Sequence, residues 1–160
     1  SFFEDMVAAV LALTGEDSPV KVRRVLRNSC MLSSDVSAAY DPLYPEVFEK
    51  KNTAYFGRGL VLNKYTGSRG KNGTSDANAE YVAKVRNVFD NNHVAFQTAE
   101  LGKVDQGGGG TIAYVMANKA MSVIDSGVAV LSMHAPYEVT SKSDVYEVYR
   151  GYKAFLKDMK

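Results

Sequence analysis

Asp35 and His134 are the two side chains of this sequence best placed to do chemistry, because each closes a short apolar run. The first run is Ser29-Cys-Met-Leu-Ser-Ser-Asp35-Val36, and the second is Gly127-Val-Ala-Val-Leu-Ser-Met-His134. Such runs read as strands buried on both faces, and side chains just beyond the carboxyl ends of strands are where open α/β sheets place their ligands. A carboxylate and an imidazole can share a divalent metal or pass a proton. A catalytic zinc takes about three protein ligands and a water, so the pair alone is half a site. The only other histidine of the two is His93, which excludes a three-histidine centre, and no H-x-x-x-H, H-E-x-x-H or paired-cysteine pattern is present. A lone loop histidine is often merely solvated, and that reading stands beside the ligand reading.

Two glycine-rich stretches could approach a ligand with bare backbone. Gly107-Gly108-Gly109-Gly110-Thr111 precedes a helical pattern from Ile112 to about Lys119. It could offer N–H groups to an anion or a developing oxyanion, or serve as a hinge. Gly67-Ser-Arg69-Gly-Lys71-Asn-Gly73 has the look of a phosphate cradle. The P-loop spacing fails, however, since Tyr65 stands where the first Gly is needed and Asn72 follows the Lys. Arg69 and Lys71 then sit on a connection near the top of a strand.

The elements that must position these residues alternate in type. Ser1 can cap a helix in which Phe2, Met6, Val7, Val10 and Leu11 share a face, ending near Gly15. A second helix runs from Pro19 to Arg27, its Lys21, Arg23, Arg24 and Arg27 on a solvated face. From Ala38 to Asn52 the Asp41-Pro42 and Tyr44-Pro45 pairs argue for a structured loop packed by Tyr40, Tyr44 and Phe48. Leu60 to Tyr65 reads as a strand. Ser75 or Asp76 is expected to cap a helix through about Asn91 that buries Tyr81, Val82, Val85, Val88 and Phe89. Strands follow at Val94 to Thr98 and within Ser122 to Leu131. A Ser141-x-x-Asp144 capping box opens the last helix, with Val145, Val148, Tyr149, Tyr152, Phe155 and Leu156 as its expected buried stripe. This order predicts an α/β fold with parallel or mixed strands and helices on both faces.

Composition narrows the partners. The 160 residues are 46% hydrophobic and 23% charged, enough for one domain with a real core. A net charge of +1 supplies no field for nucleic acid or an anionic membrane. No apolar run nears the roughly 20 residues a bilayer crossing takes, and the single Cys30 excludes an internal disulfide. A cytoplasmic location is the default expectation.

Four segments in register raise a resemblance that covers essentially the whole chain. Leu32-Ser-Ser-Asp35-Val36, Tyr65-Thr-Gly-Ser-Arg-Gly-Lys71, Glu100-Leu-Gly-Lys-Val-Asp-Gln-Gly-Gly-Gly-Gly-Thr111 and Leu131-Ser-Met-His134-Ala-Pro-Tyr-Glu138 resemble the C-terminal half of M18 metallo-aminopeptidases, the aminopeptidase I and aspartyl aminopeptidase group. The resemblance implies a three-layer αβα sandwich of the zinc-peptidase kind, of which residues 1–160 would be the C-terminal part. It implies removal of N-terminal residues from peptides by a cocatalytic centre of two metals, zinc with cobalt or manganese as alternatives. Such a centre activates a bridging water and polarises the scissile carbonyl, while a carboxylate acts as general base. The family's Ser-x-Asp motif falls on Asp35 and its Ser-Met-His motif on His134, making both metal ligands. Gly108, Gly109, Gly110, Thr111 and Lys71 would line the substrate pocket.

Departures from the family pattern bear on activity. Its upstream His, bridging Asp and Glu-Glu pair have no counterpart, so the general base is expected upstream of Ser1. The inserted β-rich domain that relatives use to build a homo-oligomeric dodecamer is also missing. The chain is therefore expected to be an inactive fragment of a longer enzyme. Aspartyl members carry a Lys near the strand where this chain has Leu60-Val-Leu-Asn63, which tilts the expected preference toward neutral or hydrophobic N-terminal residues. Arg69 and Lys71 keep an acidic preference open. The competing class is a non-catalytic α/β module that binds phosphate or serves assembly.

Overall fold

The computed structural model describes residues 1–68, 72–103, 106 and 108–159 of the chain. Two helices come first, α1 (Phe2–Leu13) and α2 (Pro19–Arg27), followed by strands β1 (Cys30–Ser34) and β2 (Ser37–Ala38). A short 3-10 turn at Pro45–Val47 lies in the loop before β3 (Leu60–Asn63), β4 (Tyr65–Ser68) and β5 (Asn72–Asp76). Then come α3 (Ala79–Asn91), β6 (Phe96–Thr98), α4 (Ala113–Ala117), β7 (Ser122–Gly127), β8 (Ala129–Leu131), β9 (Val139–Thr140) and α5 (Lys142–Asp158).

The main sheet runs in the order β1-β7-β3-β6, with β3 antiparallel to β7 and the other two pairings parallel. Alternation along its strands divides the core between two faces. Leu60, Leu62 and Ile124 pack with Tyr81, Val85 and Phe89 of α3 and Ala154 of α5. Val123, one residue from Ile124, points the other way and packs with Leu26 of α2 and Ala113 of α4. Helices on both faces of a mixed sheet make a three-layer αβα arrangement, as the sequence predicted.

Local chemistry sets the helix starts. Ser1 and Glu4 form a reciprocal capping box on α1, and Ser18 caps α2 with Pro19 in its first turn. The expected cap of α3 at Ser75 or Asp76 is corrected. Both residues lie in β5, paired with Thr66 and Tyr65 of β4, and the cap is Asn78, whose side chain accepts a hydrogen bond of 2.8 Å from Tyr81 N. Asn-Gly-Thr-Ser-Asp carries no apolar alternation, so β5 left no trace in the sequence pattern.

Two helices are oriented differently from expectation. Ser141 does cap α5, but Asp144 does not return the contact. Its buried carboxylate accepts 2.8 Å hydrogen bonds from Gly57 N and Gly59 N. The buried stripe is Asp144, Gly151 and Ala154 with Val148, Tyr152 and Phe155 alongside, while Val145, Tyr149 and Leu156 are exposed. Gly151 explains the rotation, since a Cβ there would lie 2.6 Å from Leu60 Cδ1, a closeness that only this residue type allows. Helix α1 buries no residue and leaves Phe2, Met6 and Val10 exposed; Val7 alone reaches the core.

Asp144→Ala is expected to cost about 3 kcal/mol, because it removes two charge-assisted bonds and strands two backbone donors. Urea denaturation checks this, and a loss under about 1 kcal/mol would show that the clamp contributes little.

Candidate functional site

Asp35 stands at a break shared by two strands. Strand β1 pairs in parallel with β7 up to Ser34 and Ser126, and β2 pairs in parallel with β8 from Ser37 and Ala129 in the same register. Asp35 is therefore level with Gly127. A Cβ on Gly127 would fall 1.4 Å from the Asp35 carbonyl oxygen, so the two backbones touch where a side chain cannot fit. Asp35 N donates to Ser126 O at 3.3 Å, and the Asp35 carboxylate accepts from Val36 N at 2.8 Å. From the far face the Tyr152 hydroxyl donates to Ser126 O at 2.6 Å and lies 2.8 Å from Ser34 Oγ. Burial pushes the Tyr152 hydroxyl pKa up, keeping it a donor.

His134 lies three residues past β8, on a turn that β9 closes by pairing back on Leu131 and Val130. Ser132 and His134 both adopt the left-handed region, at φ 57° and 69°. Non-glycine residues rarely rest there, and they do so where the surroundings impose it. Two hydrogen bonds hold the turn, one to a backbone carbonyl and one to a side chain. Ala135 N donates to Ser132 O, and His134 N donates to the Glu138 carboxylate at 2.6 Å. The imidazole is exposed and Asp35 is half-buried. Asp35 thus follows the carboxyl end of β1, and His134 the carboxyl end of β8. No hydrogen bond joins their side chains among the described residues.

The glycine run meets the sheet through Thr111. Gly108 adopts φ 89°, and a Cβ there would lie 2.8 Å from Leu101 O and 3.0 Å from Gly67 O, so this position requires glycine. Gly109 faces open space, and Gly110 has only Gly73 O nearby, at 3.7 Å. Thr111 is buried; its hydroxyl donates to Asp125 Oδ2 at 2.7 Å and accepts from Ala113 N at 3.2 Å. The helix expected to run to Lys119 is only Ala113–Ala117, and Thr111 occupies the first of the amides expected to face a ligand. Lys71, Arg69 and Gly107 lie outside the described residues.

Asp125 was not singled out by its sequence, yet it is 2% exposed in the middle of the sheet. It is level with Ser33 of β1 and with Asn63 of β3, so three buried polar residues form a row across adjacent strands. Thr66 Oγ1 lies 3.5 Å from Thr111 Oγ1 above that row. Burial pushes the Asp125 carboxyl pKa up; the Thr111, Ser33 and Thr66 hydroxyls pull it back, and the Asp35 charge adds to the rise. The signal in the sequence was a carboxylate inside Val-Ile-Asp-Ser-Gly, a run whose neighbours read as strand interior.

A carboxylate and an imidazole are donors that zinc accepts. Among the described residues no three of His, Cys, Asp and Glu cluster to hold a metal ion. Asp35 and His134 are thus donors of a kind that suits zinc, and by themselves fewer than a zinc site takes.

Comparison with known proteins identifies the family. A family model described as aminopeptidase I zinc metalloprotease (M18) matches residues 1–156. A probable M18 family aminopeptidase 1 of Clostridium acetobutylicum is 60% identical over 157 residues, 98% of this chain and 34% of the relative. The crystal structure of aminopeptidase I from that organism aligns over 97% of this chain and 33% of its own, with a TM-score of 0.85. An M18 aminopeptidase structure from Thermotoga maritima is 44% identical with a TM-score of 0.91, covering 97% of this chain and 35% of that one. A Saccharomyces cerevisiae structure described as a dodecamer shares the fold at 24% identity and TM-score 0.69, over 93% of this chain and 33% of its own. The chain spans about a third of the length of the relatives it matches. On this evidence the chain belongs to the M18 aminopeptidase I family of zinc metalloproteases.

Proposed function

We propose that this chain is the part of an M18 aminopeptidase that supplies two ligands, Asp35 and His134, to a two-zinc centre removing neutral or hydrophobic N-terminal residues from peptides. The observation that carries the reading is the anchoring of these two donors from one continuous stretch. Gly127 locks the Asp35 backbone, and the strained turn after β8 presents His134. Zinc held there would supply Lewis-acid polarisation and a water acidified toward neutral pH. Gly108, Gly109, Gly110 and Thr111 would line the path of the substrate, with Lys71 beside them. None of the described residues is assigned as general base. Assembly into a homo-oligomer fits the same reading, since one more distant relative is described as a dodecamer.

The experiment is cleavage of a peptide panel by the intact protein with zinc, comparing free and N-acetylated forms of peptides that begin with Leu, Ala, Asp or Glu. Release of free Leu and Ala from the unblocked peptides is expected. Equal cleavage of the acetylated forms would contradict an aminopeptidase, and a preference for Asp or Glu would overturn the neutral specificity alone.

A further inference from the structure

We infer that Asp125 is a positioning residue: through its hydrogen bond to Thr111 it fixes the glycine run against β7, the strand whose continuation carries His134. The inference rests on the proposal that the run lines the substrate path. Three observations converge on it. The Thr111 hydroxyl is fully used, donating to Asp125 at 2.7 Å and accepting from Ala113 N, so the residue that ends the glycine run is tied both to the sheet and to α4. Gly108, where the described part of the run begins, is wedged between Leu101 O and Gly67 O. Gly109, between the two anchors, is the member with nothing within 4 Å of where a side chain would begin. From Gly108 to Thr111 the run is thus held at both ends and free in the middle, the shape of a backbone ledge facing a ligand.

The opposite end of the tether matters as much. Asp125 is buried at 2% exposure, and two residues later Gly127 abuts the Asp35 backbone. A single stretch from Asp125 to His134 therefore references the ledge, one proposed metal ligand and the other to the same backbone. A buried carboxylate is costly without such a duty, because hydroxyl donors only partly offset its lost hydration. Asp125 touches neither substrate nor metal in this account and acts through Thr111.

The test is steady-state kinetics of the intact zinc-loaded enzyme on Leu-para-nitroanilide, with bound zinc measured for each variant. Thr111→Val and Asp125→Ala are each expected to raise KM about tenfold, with kcat within about twofold and zinc content unchanged. The double variant is expected to be no worse than either single one, and Thr111→Ser to restore KM. Additive effects, or a KM that Thr111→Val leaves unchanged, would overturn the tether. Gly109→Ala separates the two layers of the argument, since its surroundings are open and its backbone conformation suits alanine. If it raises KM while Thr111→Val does not, the ledge stands and the tether falls. If Gly109→Ala leaves KM unchanged, the ledge itself is wrong and the tether falls with it.

Discussion

His134→Ala and Asp35→Asn are each expected to lower zinc affinity and turnover of the intact enzyme by at least about a hundredfold. Changes to residues that merely orient a zinc ligand cost about 10- to 100-fold, so loss of a ligand sets a higher floor. The two variants should differ in how they fail. Removing the His134 imidazole takes away an exposed donor on a turn held by other groups, the Ser132 carbonyl and the Glu138 carboxylate, so stability should barely change. Asp35→Asn keeps the size of the side chain and the acceptor that meets Val36 N, and removes only the charge. Each variant is to be titrated with zinc against a competing chelator while peptide cleavage is followed. Near-normal turnover of either at limiting zinc would remove that residue from the ligand set.

Gly127→Ala should have the largest structural effect. The added Cβ would sit 1.4 Å from the Asp35 carbonyl oxygen, and that atom is backbone, held in turn by the β1–β7 pairing. The strands must part by well over an ångström to admit it, against a pairing register that continues on both sides of the break. Overpacking costs about 1–3 kcal/mol where side chains can yield. Here none is available to yield, and about 3 kcal/mol or more is expected, together with displacement of Asp35. Gly110→Ala is the matched control, its nearest neighbour being 3.7 Å away. Urea denaturation of both variants, with zinc content measured in parallel, should show a loss in the first and none in the second. Equal stability of the two would refute the steric account of the break.

How much of this could be read from residues alone follows physical lines. The helix starts at Ser1 and Ser141 were legible because a capping hydroxyl acts within three residues of itself, and that of α2 because Pro19 suits a first turn. Apolar runs likewise gave β1, β3 and the stretch that became β7 and β8. The β4–β5 hairpin was missed because its buried face is made of Thr66 and Ser75, which carry no hydrophobic period. The stripe of α5 was misplaced because periodicity reports which residues are apolar, whereas Gly151 decides which face can approach Leu60. In the candidate site, Asp35, His134 and Thr111 stood out by type and position. Asp125, Gly127 and Glu138 did not, because their significance depends on which backbone lies opposite, and that is a property of the register.

The central claim is that Asp35 and His134 bind zinc. Anomalous diffraction at the zinc edge from crystals of the intact enzyme tests it most directly. Peaks within about 2.0–2.2 Å of an Asp35 carboxylate oxygen and of a His134 ring nitrogen are expected. Zinc bound elsewhere, with both side chains free of it, would contradict the account.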